Sequence, residues 1–252
     1  MPVQEYNVDT VVNEPIPVSS ALEPMILREI AFEPDVENLK TQLRVREGSR
    51  QEDDLETLIQ EAQTIARPQA MYRVTFIDSR DEDGVVVNGI PFRSRVLRVN
   101  LEGTNRVFPF AVTAGQELHQ WSNSKDELLI RYYADIIAEH ALRTASRVLK
   151  RHLDDRYALG PSSTMSPGSL ADWPIQEQQP LFRLLGDPWE AVGIRLTDSM
   201  LMIPSKSVSG LRFAVETSFQ SCQLCPRDRC PSRRAPYDEG LYERRYRLAK
   251  DA

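Results

Sequence analysis

Three cysteines lie close together near the C-terminal end of the sequence. Cys222, Cys225 and Cys230 have the spacing C-x2-C-x4-C within "SCQLCPRDRCPSRR" (221–234), and no other cysteine occurs in the chain. Thiolates are soft ligands that suit zinc and iron–sulfur clusters. The spacing therefore predicts a metal site: an iron–sulfur cluster with three protein thiolates and one open position, or alternatively zinc. Three reduced thiols that bind no metal are the remaining interpretation.

The surroundings of the cysteines favour an anionic cluster over a zinc site. No His or Cys follows Cys230, and the only histidines lie far upstream at His119, His140 and His152. A structural zinc ion needs a fourth ligand, which this spacing does not supply. Neighbouring cations lower thiol pKa values and balance an anionic cluster, and residues 221–234 contain four arginines: Arg227, Arg229, Arg233 and Arg234.

Other catalytic signatures are absent from the sequence. It contains neither G-x-x-x-x-G-K-[ST] nor G-x-G-x-x-G, so no nucleotide phosphate cradle is indicated. His140 falls on the apolar stripe of a predicted helix and His152 near its basic end. Both positions are typical of packed histidines rather than general bases.

The composition limits the classes of partner. The chain has 252 residues and a net charge of −6, which argues against nucleic acid and anionic membrane surfaces as partners. No run of 18 apolar residues predicts a transmembrane helix, and the N-terminus shows no secretory signal pattern. Because the cysteines do not form a disulfide framework, we expect a protein of the reducing cytoplasm.

The periodicity of the chain predicts an α+β fold. A helix is expected from Asp53 to the Pro68 boundary, and a long central helix over 125–155. Its predicted apolar stripe consists of Leu129, Tyr132, Tyr133, Ile136, Ile137, His140, Ala141, Ala145, Val148 and Leu149. Strand character appears at 71–78, 84–92, 106–115, 193–204 and 207–217, with a Gly/Pro/Ser-rich loop at 160–174 and a short helix at 175–186. These elements predict a mostly antiparallel twisted sheet with a long central helix and smaller flanking helices.

The same pattern suggests how the chain is divided. Residues 1–24 are rich in proline and predict an extended N-terminal leader. Residues 25–220 then form the α+β domain, and residues 221–252 form the cysteine-containing tail.

Two stretches of the sequence resemble a known family. "SPGSLADWPIQEQQPLFRLL" (166–185) and "GIRLTDSMLMIPSKSVSG" (193–210) resemble the activation domain of cobalamin-dependent methionine synthase, which has a Pro-Gly loop followed by strands of the type L-T-[ED]-S-x-x-M-x-P and S-V-S-G. The sequence is similar above all to stand-alone relatives of that domain, whose loop runs Ser-Pro-Gly-Tyr-Gly-Asp-Trp-Pro and which also end in a short cysteine cluster. The resemblance covers about residues 25–234 and is strongest from 166 to 230.

The resemblance implies both a fold and a function. The fold would be that of the methionine synthase activation domain, which binds S-adenosylmethionine and supports reductive methylation of cob(II)alamin in methionine biosynthesis. The partner would be a cobalamin-dependent methionine synthase lacking its own activation domain, or another corrinoid protein, with ferredoxin or flavodoxin as electron donor. The positions that match the family's binding motifs are Pro167, Gly168, Ser169, Ser207, Ser209 and Gly210.

The sequence also departs from the family pattern. The family has an arginine shortly before Pro-Gly, where this chain has Ser163, Thr164 and Met165, and a tyrosine where it has Ser169. An arginine is the side chain suited to a bidentate contact with a carboxylate. These differences favour an alternative function, that of a diverged, non-catalytic subunit that docks on a corrinoid protein or another complex without binding S-adenosylmethionine.

Overall fold

A computed structural model describes residues 23–230 and 232–247. Most of the predicted leader therefore lies outside the described residues, and the division into leader, domain and tail stays a prediction. Eight strands form one curled sheet, in which all neighbouring strands are antiparallel. The strands are β1 Met25–Leu27, β2 Gln69–Tyr72, β3 Thr75–Arg80, β4 Gly84–Val87, β5 Ile90–Arg93, β6 Arg106–Thr113, β7 Ser162–Met165 and β10 Ser207–Ala214.

The central strand of this sheet is β6. One of its edges pairs with β10, which in turn pairs with β7. The other edge pairs with β2 and then with β3, which continue to β1 and to β4–β5 respectively. Two further short strands, β8 Arg195–Leu196 and β9 Met202–Ile203, form a separate hairpin.

Helices cover both faces of the sheet. They are α1 Val36–Leu43, α2 Arg50–Ile65, α3 Arg95–Asn100, α4 Gln116–Asn123, α5 Leu128–Tyr157, α6 Gln178–Leu185, α7 Pro188–Val192 and α8 Leu241–Arg245. The long helix α5 packs one side against β6 and β2 and the other against α1, α2 and α4. The opposite sheet face holds the largest buried cluster, to which α3, α6 and the chain after β10 contribute. No helix among the described residues is long and apolar enough to cross a membrane.

The predicted fold class is confirmed, and the differences lie in its details. The predicted strand 71–78 divides into β2 and β3 opposite Pro109 of β6, which has no N–H to donate to a ladder. The predicted strand 193–204 is wrong: only its ends pair, and Met200 at the tip has a positive φ of 64°. The loop predicted at 160–174 begins with strand β7, so that prediction is also partly wrong.

The long helix runs from Leu128 rather than from Lys125, and its stripe is shorter than predicted. Leu129 is 39% exposed and Tyr132 is 50% exposed, whereas Tyr133 and Ile137 are buried. In the first turns of α5 only Ile130 and Tyr133 pack against the core, so Leu129 and Tyr132 stay exposed. Both predicted histidine positions are packed: Nε2 of His140 lies 3.0 Å from Oε1 of Gln42, and burial lowers the pKa of His140.

Candidate ligand-binding site

The Pro-Gly loop leaves the end of β7 in a conformation that requires glycine. Gly168 has φ of +80°, and its N–H donates to the carbonyl of Trp173 over 2.7 Å. A Cβ at Gly168 would lie 2.7 Å from Cδ1 of Ile175. Both the left-handed backbone and the close approach therefore exclude a side chain here. Pro167 is buried, and Ser169 is exposed at the turn.

Two neighbouring residues fix the far side of this loop. Asp172 accepts hydrogen bonds from the Ser94 hydroxyl and, over 2.9 Å, from the Val96 amide at the start of α3. Trp173 is fully buried and packs edge-on against Phe92, with ring centroids 6.3 Å apart. The loop is therefore fastened to the domain on both sides of its glycine.

The first half of β10 meets this loop at Gly210. A Cβ on Gly210 would clash with the carbonyl oxygen of Met165, and it would lie 2.8 Å from Oγ of Ser166. Gly210 also lies opposite Phe110 of β6. The absence of a side chain thus allows the Pro-Gly loop to cross β10 at short distance, and the two matched motifs lie side by side in space.

The two serines of β10 have separate environments. The Ser207 hydroxyl donates to Oγ1 of Thr113 over 3.0 Å, and Ser209 is buried. Strand geometry places Ser207 about 10 Å from Gly210, since each residue advances about 3.4 Å. The matched positions therefore define a strip about 10 Å long rather than a single point, and Ser209 and Gly210 within it are buried.

An ion pair that the sequence did not predict lies at the other end of this strip, at the start of β10. Nζ of Lys206 lies 2.8 Å from Oδ2 of Asp135 on α5. Asp135 lines a cavity of about 270 Å³ together with Tyr132 and Arg131. Asp135 lies on the charged side of an amphipathic helix, where sequence periodicity predicts a solvent-exposed surface charge. Only the turn between β9 and β10, which brings Lys206 to α5, reveals its position.

The cysteine tail surrounds one arginine side chain. The guanidinium of Arg233 donates to the carbonyls of Cys222 and Cys225, at 3.1 and 3.2 Å, and also to those of Arg227 and Ala235. These bonds hold the loop by its backbone and leave the thiols free to take other roles. Cys222, Cys225 and Cys230 are all free and half-buried.

The tail does not assemble the predicted metal site. Within residues 23–230 and 232–247, no three His, Cys, Asp or Glu side chains lie close enough together to hold a metal ion. The donor set also contains no fourth protein ligand, which a tetrahedral zinc ion would need. Ligation by Cys222, Cys225 and Cys230 stays a prediction from sequence.

Of the three thiols, Cys222 has a distinct electrostatic environment. The backbone N–H of Arg234 donates to Sγ of Cys222 over 3.4 Å. This hydrogen bond, assisted by the positive charge of Arg234, lowers the pKa of Cys222 against the opposing effect of burial.

The tail is attached to β7 and to the Pro-Gly loop. The amide of Phe219 donates to the Ser163 hydroxyl over 2.7 Å, and the Ser169 hydroxyl lies 3.5 Å from that of Ser221. Further along the chain, Tyr246 is buried and bonds to Asn100 over 3.1 Å. The residue before Cys222 therefore touches the loop that carries Gly168.

Comparison with known proteins supports the expected resemblance. Residues 162–231 match the model of the family described as vitamin B12 dependent methionine synthase, activation domain. The matched segment contains both motifs and the three cysteines. A search of curated protein sequences gave no match.

The fold is also found among solved structures, of which 13 chains match. One of them is described as "Crystal Structure of the MetH Reactivation Domain bound to AdoHcy". It is 15% identical to this chain, with a TM-score of 0.54, and the match covers 79% of this chain and 81% of that one. At this identity the likeness establishes the shared fold, and the residues that bind a ligand must be argued from this chain itself.

Proposed function

We propose that this chain is an accessory reactivation module for a cobalamin-dependent methionine synthase or a related corrinoid protein. The observation that carries the proposal is the match of residues 162–231 to the activation domain family. The fold is similar to that of a solved reactivation domain over 79% of this chain. The module would support reductive methylation of cob(II)alamin in the cytoplasm, with an electron from a ferredoxin or a flavodoxin.

The strip along β10 provides the chemistry that S-adenosylmethionine requires. That molecule has an ammonium and a carboxylate at one end and an adenosine at the other. Asp135 and Lys206 place one charge of each sign at the start of β10, on the side of α5, so they complement the two charged groups of the ligand. Gly168 and Ser169 are exposed at the opposite end and would offer a base or ribose their carbonyl groups, because their N–H groups donate to Trp173 and Ser166.

S-adenosylmethionine would supply the methyl group, and the partner protein would carry the cobalamin. The residues of this chain would bind and orient the methyl donor and exclude water from it. Exposed apolar side chains beside Asp135 support docking at this end of the strip: Leu128 is 82% exposed and Tyr132 is 50% exposed. Covering them with a partner would remove apolar surface from water.

A titration calorimetry experiment tests ligand binding directly. We expect the full chain to bind S-adenosylmethionine and S-adenosylhomocysteine, and Asp135→Asn to weaken binding about tenfold or more, because a charge-assisted hydrogen bond contributes about 1.5–3 kcal/mol. Asp155→Asn is the matched control, since Asp155 is an exposed acid on the same helix. Equal effects of the two substitutions would contradict the assignment of Asp135.

A second experiment tests reactivation itself. The chain is mixed with a cobalamin-dependent methionine synthase that lacks its activation domain, with S-adenosylmethionine and a low-potential reductant. Formation of methylcobalamin, followed by its absorption spectrum, is the expected result. Stable association of the two proteins without methylation would reject the proposal.

The alternative is a diverged binding subunit that no longer takes S-adenosylmethionine. One observation favours it: Arg212, the cross-strand neighbour of Thr164, does not replace the missing family arginine. Its guanidinium is 2.7 Å from Asp154 and 2.7 Å from the Ser162 hydroxyl, so it is engaged within the domain. Association with a corrinoid protein, combined with no heat of S-adenosylmethionine binding, would select this alternative.

A further inference from the structure

The first two cysteines of the tail are neighbours in space although the three do not form a metal site. Residues Ser221–Leu224 form one turn of 3-10 helix, and the amide of Cys225 donates to the carbonyl of Cys222 over 3.3 Å. A hydrogen-bonded turn of this kind brings the first and fourth Cα atoms within about 7 Å. Disulfides span Cα separations of about 4.4–6.8 Å. The backbone therefore already holds Cys222 and Cys225 within bridging distance.

The surroundings of this turn leave both thiols accessible and the backbone supported. Each cysteine is half-buried and free. Arg233 bonds to the carbonyls of both residues, so the turn persists whether or not the sulfur atoms are joined. Cys230 lies outside the turn, beyond Asp228 and Arg229. The turn thus contains one C-x2-C thiol pair, and Cys230 follows outside the turn.

We propose that Cys222 and Cys225 form a reversible disulfide, which makes the tail a thiol–disulfide exchange site beside the Pro-Gly loop. The C-x2-C spacing is the one used by dithiols that exchange with other disulfides. In a reducing compartment, a bridge of this kind is transient, either catalytic or redox-sensing. The site depends on neither S-adenosylmethionine nor a corrinoid partner.

The oxidant in this exchange is a low-molecular-weight disulfide such as glutathione disulfide. The Cys222 thiolate, which receives the Arg234 amide hydrogen bond, attacks one sulfur of that disulfide, forms a mixed disulfide and releases one glutathione thiolate. The Cys225 thiolate then attacks Sγ of Cys222, closes the intramolecular bond and releases the second glutathione. Two electrons pass to glutathione disulfide, and the two protons given up by the cysteines protonate the released glutathione thiolates, which become two thiols.

The contact between Ser169 and Ser221 connects the exchange site to the Pro-Gly loop. Ser221 is buried and immediately precedes Cys222, and its hydroxyl lies 3.5 Å from that of Ser169. Closing the bridge fixes the side chains of the turn that holds Ser221. The exchange site therefore lies directly beside the loop that contains Gly168.

Peptide mapping of the full chain tests this proposal. The reduced protein is equilibrated with glutathione and glutathione disulfide, quenched with acid, labelled with N-ethylmaleimide and digested with trypsin. Cleavage after Arg227 and Arg229 separates Cys230 from the peptide 213–227, which contains the other two cysteines. We expect oxidation to remove two of the three maleimide labels, with an internal bridge in peptide 213–227 and a labelled Cys230.

Three single substitutions complete the test. Cys230→Ser should oxidise as the natural chain does, whereas Cys222→Ser and Cys225→Ser should lose the internal bridge, and Cys225→Ser should accumulate glutathione on Cys222. A bridge to Cys230 would overturn the proposal, as would glutathione adducts spread evenly over three unbridged cysteines. Protein purified with bound iron or zinc that protects all three thiols would overturn it as well.

Discussion

The β10–loop region, with Gly168 and Gly210, and the tail, with its three cysteines, are stabilised by different interactions. In the first region, Gly168 and Gly210 are required because another part of the chain passes too close for a side chain. In the tail, the Arg233 side chain gathers main-chain carbonyls around itself. The first region therefore depends on close packing, and the second depends on one set of charged hydrogen bonds. Residues that are close in sequence, such as the three cysteines, therefore need not lie close enough in space to share one ligand.

The strongest test of this contrast is a methyl group added at Gly210. We expect Gly210→Ala to lower the free energy of unfolding by about 2–3 kcal/mol, because the new Cβ would overlap the Met165 carbonyl and the strands must separate to accommodate it. Urea unfolding followed by circular dichroism measures the loss. Ser209→Ala on the same strand is the control and should change stability by less than about 1 kcal/mol. Similar losses for both variants would contradict the close-contact explanation.

A loss of similar size is expected at Gly168, where two effects combine. Its φ of +80° costs an alanine about 1–2 kcal/mol, and contact with Ile175 adds to that cost. Gly160→Ala is the matched control, because Gly160 also has a positive φ, of 62°, but has open space around it. The difference between the two variants in urea unfolding therefore isolates the contact with Ile175. We expect Gly168→Ala to be the less stable by about 1 kcal/mol.

In the tail, Arg233→Ala should act locally. Its removal leaves four backbone carbonyls without their donor, at a cost of about 1–2 kcal/mol for opening this loop. Hydrogen exchange of residues 221–227 should accelerate about tenfold while β6 and β10 stay protected. Arg229→Ala is the control, because Arg229 is exposed in the same loop. Acceleration throughout the sheet would show that the tail is not a separate unit.

Much of the secondary structure of the domain could be predicted from sequence periodicity. A helix or strand that buries one face must have apolar residues at its own structural period. The long helix and strand β6 were predictable because each buries a continuous face against the sheet or the helical layer. The division of 71–78 into two strands was not, because it depends on Pro109 in a strand distant in sequence. The hairpin at 195–203 likewise depends on a turn conformation, with positive φ at Met200, that apolar patterning does not encode.

The candidate site divides in the same way. The motif residues Gly168 and Gly210 were recognisable from local spacing, and the structure brings their segments together. The ion pair of Asp135 and Lys206 was not recognisable, because the two residues lie 71 positions apart and each alone resembles a surface charge. Long-range pairs of this kind are determined by topology, and one sequence without a fold contains no signal for them.

The last prediction concerns metal in the tail, where the expected effect is the smallest. A cluster held by Cys222, Cys225 and Cys230 would give more than one iron per chain with matching acid-labile sulfide, both lost in Cys225→Ser. The observed arrangement gathers the backbone around Arg233 rather than the thiols around one ion, so we expect iron, sulfide and zinc all well below one per chain in protein purified without oxygen. Elemental analysis beside Cys225→Ser measures this. Stoichiometric iron and sulfide in the natural chain alone would contradict this expectation and support the iron–sulfur interpretation of the three thiols, which lie within nine residues.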